Sequence, residues 1–329
     1  MSEHTRSIIS RSNNPAFNLA AEEYLLRHVA EDVHFFYINK PSVIIGKHQN
    51  ALAEINLSFL EANDIPLYRR LSGGGTVFHD EGNINFCFIK NGETHDLVNF
   101  KCATQPIVDV LNSWGIPARS GDRNDLLVNF KKISGNACHV YKRRVMHHGT
   151  LLFNSRLDML TGSLKSDPTR FRDKAVKSVR SQVMNLTEIF NRITSANEFL
   201  VELEEAIRQS NNGIIFSDFL ESEVMAIEKL SEEKYSTTEW NYSYGPPYEF
   251  RKRSVFNGYV FAVQMKVDKG RISHADIKSN HPDASIIKQL INMIEGKYHS
   301  KNDLRESIRS CELLNTLNES ADELVSLFF

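Results

Sequence analysis

The chain has 329 residues, of which 41% are hydrophobic and 24% charged, and its formal net charge is −2. This is the composition of an ordinary globular protein with a sizeable core, long enough for one large domain and a smaller one. The balance of charge gives no reason to expect a nucleic-acid or membrane-surface partner. No apolar run approaches the roughly 18 residues of a membrane span. The first residues lack the basic and apolar blocks of a secretory leader. Cys87, Cys102, Cys138 and Cys311 are widely spaced and form no CxxC pair. Neither a disulfide framework nor a zinc site is expected, and the thiols read as those of a cytoplasmic protein.

In chain order, Asn14 and Pro15 open a predicted helix whose apolar residues Phe17, Ala20, Ala21, Tyr24 and Leu25 recur at helical spacing. Strands are expected at 33–38 and 42–46, a short helix at 57–63, and a strand at 65–70 that leads into a run of glycines. Strands at 76–79 and 84–89 are joined by a turn at 80–83. A helix at 100–114 and strands at 126–130, 132–140 and 147–154 follow. From Leu157 the pattern becomes mostly helical, with Ser195 and Glu198 as a capping-box pair ahead of Phe199, Leu200, Leu203 and Ile207. The turn-rich stretch 231–248 contains Gly245-Pro246-Pro247 and marks a boundary. Beyond it, Tyr259, Phe261, Val263, Met265 and Val267 alternate, Asp268-Lys269-Gly270 supplies a hairpin turn, and Ile286, Ile287, Leu290, Ile291 and Ile294 line a helix face. The fold class is α+β, with a large domain at 1–240 and a small α+β domain at 241–329.

The sharpest motif is Arg69-Arg70-Leu71-Ser72-Gly73-Gly74-Gly75-Thr76-Val77-Phe78-His79-Asp80. Three glycines expose neighbouring backbone amides without Cβ atoms to hold a ligand away, which suits an anion such as phosphate. Arg70 is placed to fork onto phosphate oxygens. The motif is neither a Walker A loop nor a dinucleotide GxGxxG, and a glycine run alone also serves as a plain turn. A second motif joins Lys131-Lys132-Ile133-Ser134-Gly135 to His147-His148-Gly149-Thr150. A lysine on a small-residue strand can meet charge developing on a phosphoryl group, although most lysines are solvated surface charges. The histidine pair lacks metal-ligand spacing and reads as structural or substrate-lining.

Taken in order, these motifs resemble those of the lipoate–protein ligase A family, within the wider biotin/lipoate ligase fold. Asn14-Pro15, Asn18-Leu19-Ala20, Glu22-Glu23, residues 41–50, Gly82-Asn83, Arg123-Asn124-Asp125-Leu126, Ser178-Val179-Arg180-Ser181 and Asn185-Leu186-Thr187 extend the match. The region after Trp240-Asn241 is similar to the accessory domain of two-domain members. The resemblance implies that Lys132, directly before Ile-Ser-Gly, is the essential lysine. It implies an adenylate site made of Arg70, Ser72, Gly73, Gly74, Gly75, Thr76, Val77, Phe78, His79, Asn83, Asp125, Lys132, His148, Gly149 and Thr150. It further implies ATP and lipoic acid as substrates, Mg²⁺ brought on the ATP phosphates, and no protein metal site. The implied acceptors are apo lipoyl domains of 2-oxoacid dehydrogenase E2 subunits and the glycine-cleavage H protein, modified by a monomer. The apolar acyl tail would lie against the strands at 43–46 and 149–151, whose residues are equally suited to the core.

The rivals are a transferase that moves lipoyl or octanoyl groups from a carrier or from a premade adenylate, a biotin ligase, and a non-catalytic binder of lipoyl domains. A thioester route needs a nucleophile. No cysteine follows Thr150 until Cys311, and Cys87 and Cys138 read as small buried residues.

Overall fold

The computed structural model describes residues 4–92, 98–164, 167–179, 181–311, 314 and 320–329. The strands are β1 (Thr5–Ile9), β2 (Asp32–Ile38), β3 (Ser42–Ile45), β4 (Leu67–Arg69), β5 (Val77–His79), β6 (Asn83–Asn91), β7 (Arg119–Ser120) and β8 (Asp125–Val128). They continue as β9 (Lys131–Tyr141), β10 (Arg144–Leu152), β11 (Phe171–Asp173), β12 (Ile214–Phe216), β13 (Tyr248–Phe256), β14 (Tyr259–Asp268) and β15 (Arg271–Ser279). The chain divides into two compact units. One is Met1–Lys47, Asn56–Lys165 and Lys177–Thr237; the other is His48–Ile55, Ser166–Val176 and Thr238–Phe329. The second unit thus draws in two short segments from within the span of the first as well as the C-terminal stretch.

Among the described residues, the first unit holds a sheet in the order β12-β1-β2-β6-β10-β9-β8-β7 and a small sheet β4-β3-β5. One face of the large sheet carries the core. Phe36, Ile84, Phe86, Phe88, Leu126, Ile133 and Leu151 pack there with residues of helices Phe100–Ser113 and Ala196–Gln209. Strand alternation sends the intervening residues to the other face. There, paired positions form one row of Phe35, Cys87, His148 and Ala137. A second row holds Tyr37, Asn85 and Thr150, continued by Gly135 and its partner Asp125. Helix Pro15–His28 supplies the buried Glu22 to this face, where it meets Tyr37 and His148. Asn14 caps that helix through Ala16 N (2.9 Å), and Pro15 opens it, as the sequence indicates.

The second unit is an antiparallel meander, β13-β14-β15, with β11 added beside β13. Phe261, Val263, Met265 and Val267 alternate into its core against Ile286, Ile287, Leu290 and Ile294. Two-residue turns at Asn257-Gly258 and Lys269-Gly270 join its strands, each residue having a positive φ.

Three expectations need correction. The stretch at 231–248 contains the division at Thr237/Thr238 but is more helical than its turn-rich composition suggests, because Tyr235 is fully buried and Ser231–Tyr235 and Glu239–Ser243 wind into helical turns. Past Leu157 the chain is less helical than its pattern suggests, with β11 and an irregular run at 174–179. Ser195 does precede helix Ala196–Gln209, but its hydroxyl makes no capping bond. The reciprocal contact belongs to Glu188, whose carboxylate accepts from Asn185 N at 2.9 Å.

Candidate active site

The glycine loop connects β4 to β5. Arg70, at its start, is buried, and its donors point back into the loop. Nη2 donates to Gly73 O (2.6 Å) and Gly75 O (2.7 Å), Nη1 to Ile44 O (3.2 Å), and Nε to Ser72 Oγ (3.1 Å). The fork expected to grip phosphate oxygens is thus filled by loop carbonyls, a correction the spacing alone could not supply. A trans peptide holds its C=O and N–H antiparallel. Drawing the Gly73 and Gly75 carbonyls inward therefore turns the Gly74 and Thr76 amides outward. The Thr76 amide meets Ser178 Oγ at 2.9 Å, and Gly74 is exposed at φ 88°. Burial pushes the Arg70 guanidinium down to about 10, while Glu22 and Tyr37 act to raise it, so it stays a cation at neutral pH.

A buried chain of polar groups holds this arrangement from beneath. Ser72 Oγ lies 2.6 Å from His148 Nε2, and His148 Nδ1 lies 2.7 Å from Glu22 Oε2. Tyr37 Oη donates to Glu22 Oε1 at 3.0 Å. A carboxylate only accepts, so His148 donates from Nδ1, and in that neutral tautomer its Nε2 accepts a hydrogen bond from the Ser72 hydroxyl. Ser72 oxygen in turn accepts from Arg70. Glu22 is thereby the buried counter-charge of Arg70, connected to it through two side chains. Charge-assisted hydrogen bonds of this kind contribute about 1.5–3 kcal/mol each.

Lys132 comes from β9. The register of β8 against β9 shifts between Leu126 and Leu127, so that Leu126 faces Ser134 while Leu127 faces Lys132, leaving Ile133 as the extra residue of a bulge. The bulge restores parity. Lys132 and Gly135, three residues apart, lie on one face, with Lys132 Nζ 3.0 Å from where a Gly135 Cβ would stand. Gly74 lies against Ala137, with 3.7 Å from its Cβ position to Ala137 Cβ. Small residues at 135 and 137 therefore bring lysine and glycine loop to the same stretch of β9. Burial lowers the Lys132 pKa, Asp125 opposes this, and Arg123 and Arg70 reinforce it. Lys131 next door is exposed. Backbone bonds of Lys132 to Gln182 O (2.8 Å) and from Met184 N (3.0 Å) fix the start of the strand.

The other expected positions fall around this pair. Asn83 and Asn85 share a hydrogen bond (3.0 Å) beside Thr150, whose Oγ1 accepts from Gly135 N at 3.3 Å. Gly149 lies where a Cβ would come within 2.0 Å of Asn136 Oδ1. Val77, Phe78 and His79 form β5, with His79 Nδ1 3.0 Å from Asn39 Nδ2. Burial, then Arg70 and His148, push His79 down to about 3. His79 Nε2, Asn83 Oδ1 and Asp125 Oδ1 are buried without hydrogen-bond partners, a concentration of unmet polar capacity at these positions. The Val43, Ile44 and Ile45 side chains are fully buried and read as core. Arg180 of the Ser178–Ser181 motif lies outside the described residues.

Adjacent strand residues face opposite ways. His148 points to the loop, and His147 to the other face, edge-on to Phe100 at 5.2 Å, so the two cannot share a ligand. Cys138 pairs with His147 and shares that far face. Burial raises the Cys138 thiol, and raises Cys87 well above its ordinary value, with Glu22 adding to the effect. Neither is an activated nucleophile. Glu22 and Ser178 stand in the family motifs but receive no site role from sequence. A carboxylate among Ala20, Ala21, Leu25 and Leu26 is a signal of sorts, since an acid on an apolar helix face needs a partner.

Comparison with known proteins places the chain in a family. Residues 14–208 match the family described as the lipoyl protein ligase A/B catalytic domain. Lipoate–protein ligase 1 of Staphylococcus aureus is 37% identical over 324 residues, covering 97% of this chain and 98% of its own length. A bipartite lipoate protein ligase from Thermoplasma acidophilum, studied with its E2 lipoyl domain, superposes with a TM-score of 0.62 at 28% identity, covering 72% of this chain and 96% of that one. A lipoate–protein ligase A bound with ATP superposes with a TM-score of 0.62 at 29% identity, covering 72% of this chain and 98% of that one. The fold is that of the lipoate ligases, and the protein is a ligase. The chain belongs to the lipoate–protein ligase A family, as its motifs indicate.

Proposed function

We propose that this protein activates lipoate with ATP to lipoyl-AMP and transfers the lipoyl group to an acceptor lysine, forming an amide. The observation that carries this reading is the convergence on β9 of Lys132 and a glycine loop whose exposed Gly74 amide Arg70 turns outward by holding the Gly73 carbonyl. Such an amide and a half-buried ammonium suit a phosphoryl group bonded to a carboxylate. In the first half-reaction the lipoate carboxylate attacks the α-phosphorus and pyrophosphate leaves. In the second, the acceptor amine attacks the mixed anhydride, AMP leaves, and the amine proton passes to solvent. Lys132 serves both steps, balancing charge first on the phosphoryl oxygens and then on the departing phosphate. The adenylate-contacting set is Arg70, Ser72, the glycine loop through His79, Asn83, Asp125, Lys132, His148, Gly149 and Thr150, with Arg70, Ser72 and His148 acting through the loop.

No group of three metal-ligating side chains occurs among the described residues. The groups present, cations and amides with the buried carboxylates Glu22 and Asp125 already set against Arg70 and Lys132, fit Mg²⁺ held mainly by the triphosphate. When bound, Mg²⁺ supplies charge neutralisation of the phosphates. The acceptors we propose are lipoyl domains of E2 subunits and the H protein. Residues 1–240 act as the catalytic domain and 241–329 as the accessory domain, in a monomeric cytoplasmic enzyme. No helix among the described residues is long and apolar enough to cross a membrane.

Lipoate-dependent ATP–pyrophosphate exchange, followed by the mass increase of an apo lipoyl domain, tests both halves. Exchange and mass increase are expected. Modification from premade lipoyl-AMP without exchange would replace the ligase with a transferase.

A further inference from the structure

The β8–β9 hairpin that carries Lys132 turns through Asn129 and Phe130, with φ of 49° and 64°. Two successive left-handed residues form the tight hairpin turn that favours Asn-Gly, and a bulky side chain in the second place is strained. The turns at Asn257-Gly258 and Lys269-Gly270 show the relaxed solution, with glycine in that place. At 130 the chain instead holds a phenylalanine that is 86% exposed, more than any other exposed large hydrophobic side chain among the described residues. Its ring lies 5.1 Å from the Arg119 guanidinium carbon. Arg119, Arg123 and Lys131 are all exposed on these same strands and turns, with Asp122 as the nearby carboxylate in sequence. The side chain thus carries backbone strain and water-exposed apolar surface, and no core contact offsets either. Aromatic side chains and arginine are both enriched at protein interfaces relative to the rest of the surface. Phe130 is two residues from Lys132, about 7 Å along the strand. Any protein whose lysine reaches the acyl group held by Lys132 must cover this turn within an ordinary interface footprint.

We propose that the Phe130 turn, flanked by Arg119 and Lys131, is the docking point for the acceptor domain. The partner it fits is a small folded protein that presents its lysine among carboxylates, with an apolar spot for the Phe130 ring. This rests on the proposed ligase reading and adds to it the place and chemistry of acceptor recognition.

Phe130→Gly separates docking from folding, because the two effects have opposite signs. The variant should melt at a higher temperature, since the strain is gone, and lipoate-dependent ATP–pyrophosphate exchange should be unchanged. With an apo E2 lipoyl domain as acceptor, its KM should rise about tenfold or more, as for loss of an interface anchor. Arg119→Glu with Lys131→Glu should raise the same KM and flatten its dependence on salt. An unchanged acceptor KM in Phe130→Gly would overturn the inference and leave a strained turn without a role. Loss of exchange in that variant would also overturn it, placing the effect at Lys132 instead of at docking. Failure of the underlying reading shows elsewhere, in a wild-type protein that does not exchange or does not modify the domain.

Discussion

The glycine loop and the lysine strand form one site but are held in different ways. In the loop, a buried guanidinium occupies the carbonyls of Gly73 and Gly75, a serine and a histidine continue the chain, and Glu22 ends it. Backbone packing adds to this, since a Cβ on Gly46 would fall 2.2 Å from Gly74 O. On β9 the backbone is just as fixed, but the Lys132 side chain lies over the open space above Gly135, with Asp125 as its electrostatic counterweight. Preorganised dipoles suit a phosphate that keeps its place throughout, because they need no reorganisation during reaction. A flexible ammonium suits a charge that shifts between two half-reactions.

If that division is correct, its largest consequence is that Lys132→Ala loses acceptor modification by about 10³-fold or more, on the scale of losing a preorganised oxyanion donor. Lys131→Ala should be mild, and equal losses in a gel or mass assay would show that the two lysines are interchangeable. Gly46→Ala should strike the other half. It forces the loop aside, costing about 1–3 kcal/mol in denaturant unfolding and raising the KM for ATP, whereas an unchanged KM would mean that the loop is not held by packing. Glu22→Gln removes the counter-charge but keeps the shape. A loss of about tenfold or more in kcat/KM for ATP is expected from breaking a buried charged hydrogen bond. Additive effects of Glu22→Gln and Ser72→Ala would deny that His148 couples them.

The pH dependence separates the halves again. Lys132 has a lowered pKa, so its cation is lost as pH rises through a value below the ordinary 10.5. The alkaline limb of the adenylation profile should therefore have its midpoint below 10.5, and Lys132→Arg should move whatever limb remains to higher pH. His79 works on stability. Its folded pKa of about 3 lies below the unfolded 6.5, so the unfolded chain binds the extra proton between them. Stability is then full above 6.5 and declines as pH falls toward 3, by about 2 kcal/mol at pH 5 for this one histidine. Urea unfolding at neutral and mildly acidic pH, compared with His79→Gln, checks this. The smallest effect belongs to Cys138→Ala, which should leave turnover unchanged, because the thiol lies on the far face of the sheet from His148. An inactive variant would revive thioester chemistry.

Much of this was legible in the residues. Glycines, arginine and lysine are visible because each type has few structural uses in such a pattern, and alternation in β14 and the helix face at 286–294 follows from local periodicity. What Arg70 does was not legible. A guanidinium fits carbonyls and phosphates equally well, and only the path of the loop decides between them. The role of Glu22 was hidden because a carboxylate on an amphipathic helix ordinarily faces water, and its partner His148 is 126 positions away. The role of Ser178 was hidden likewise, since it reaches the Thr76 amide across 102 positions. The bulge at Ile133 has no sequence signature at all, since it exists only relative to the partner strand.

That bulge has an evolutionary consequence. Along β9, Lys132, Gly135 and Ala137 face the glycine loop, while Cys138 faces away. Side chains alternate strictly from there on, so loss of one residue between Lys132 and Cys138 would reverse the outlook of whatever follows it. The cysteine would then take Ala137's place opposite His148, where a thiol and an imidazole could meet.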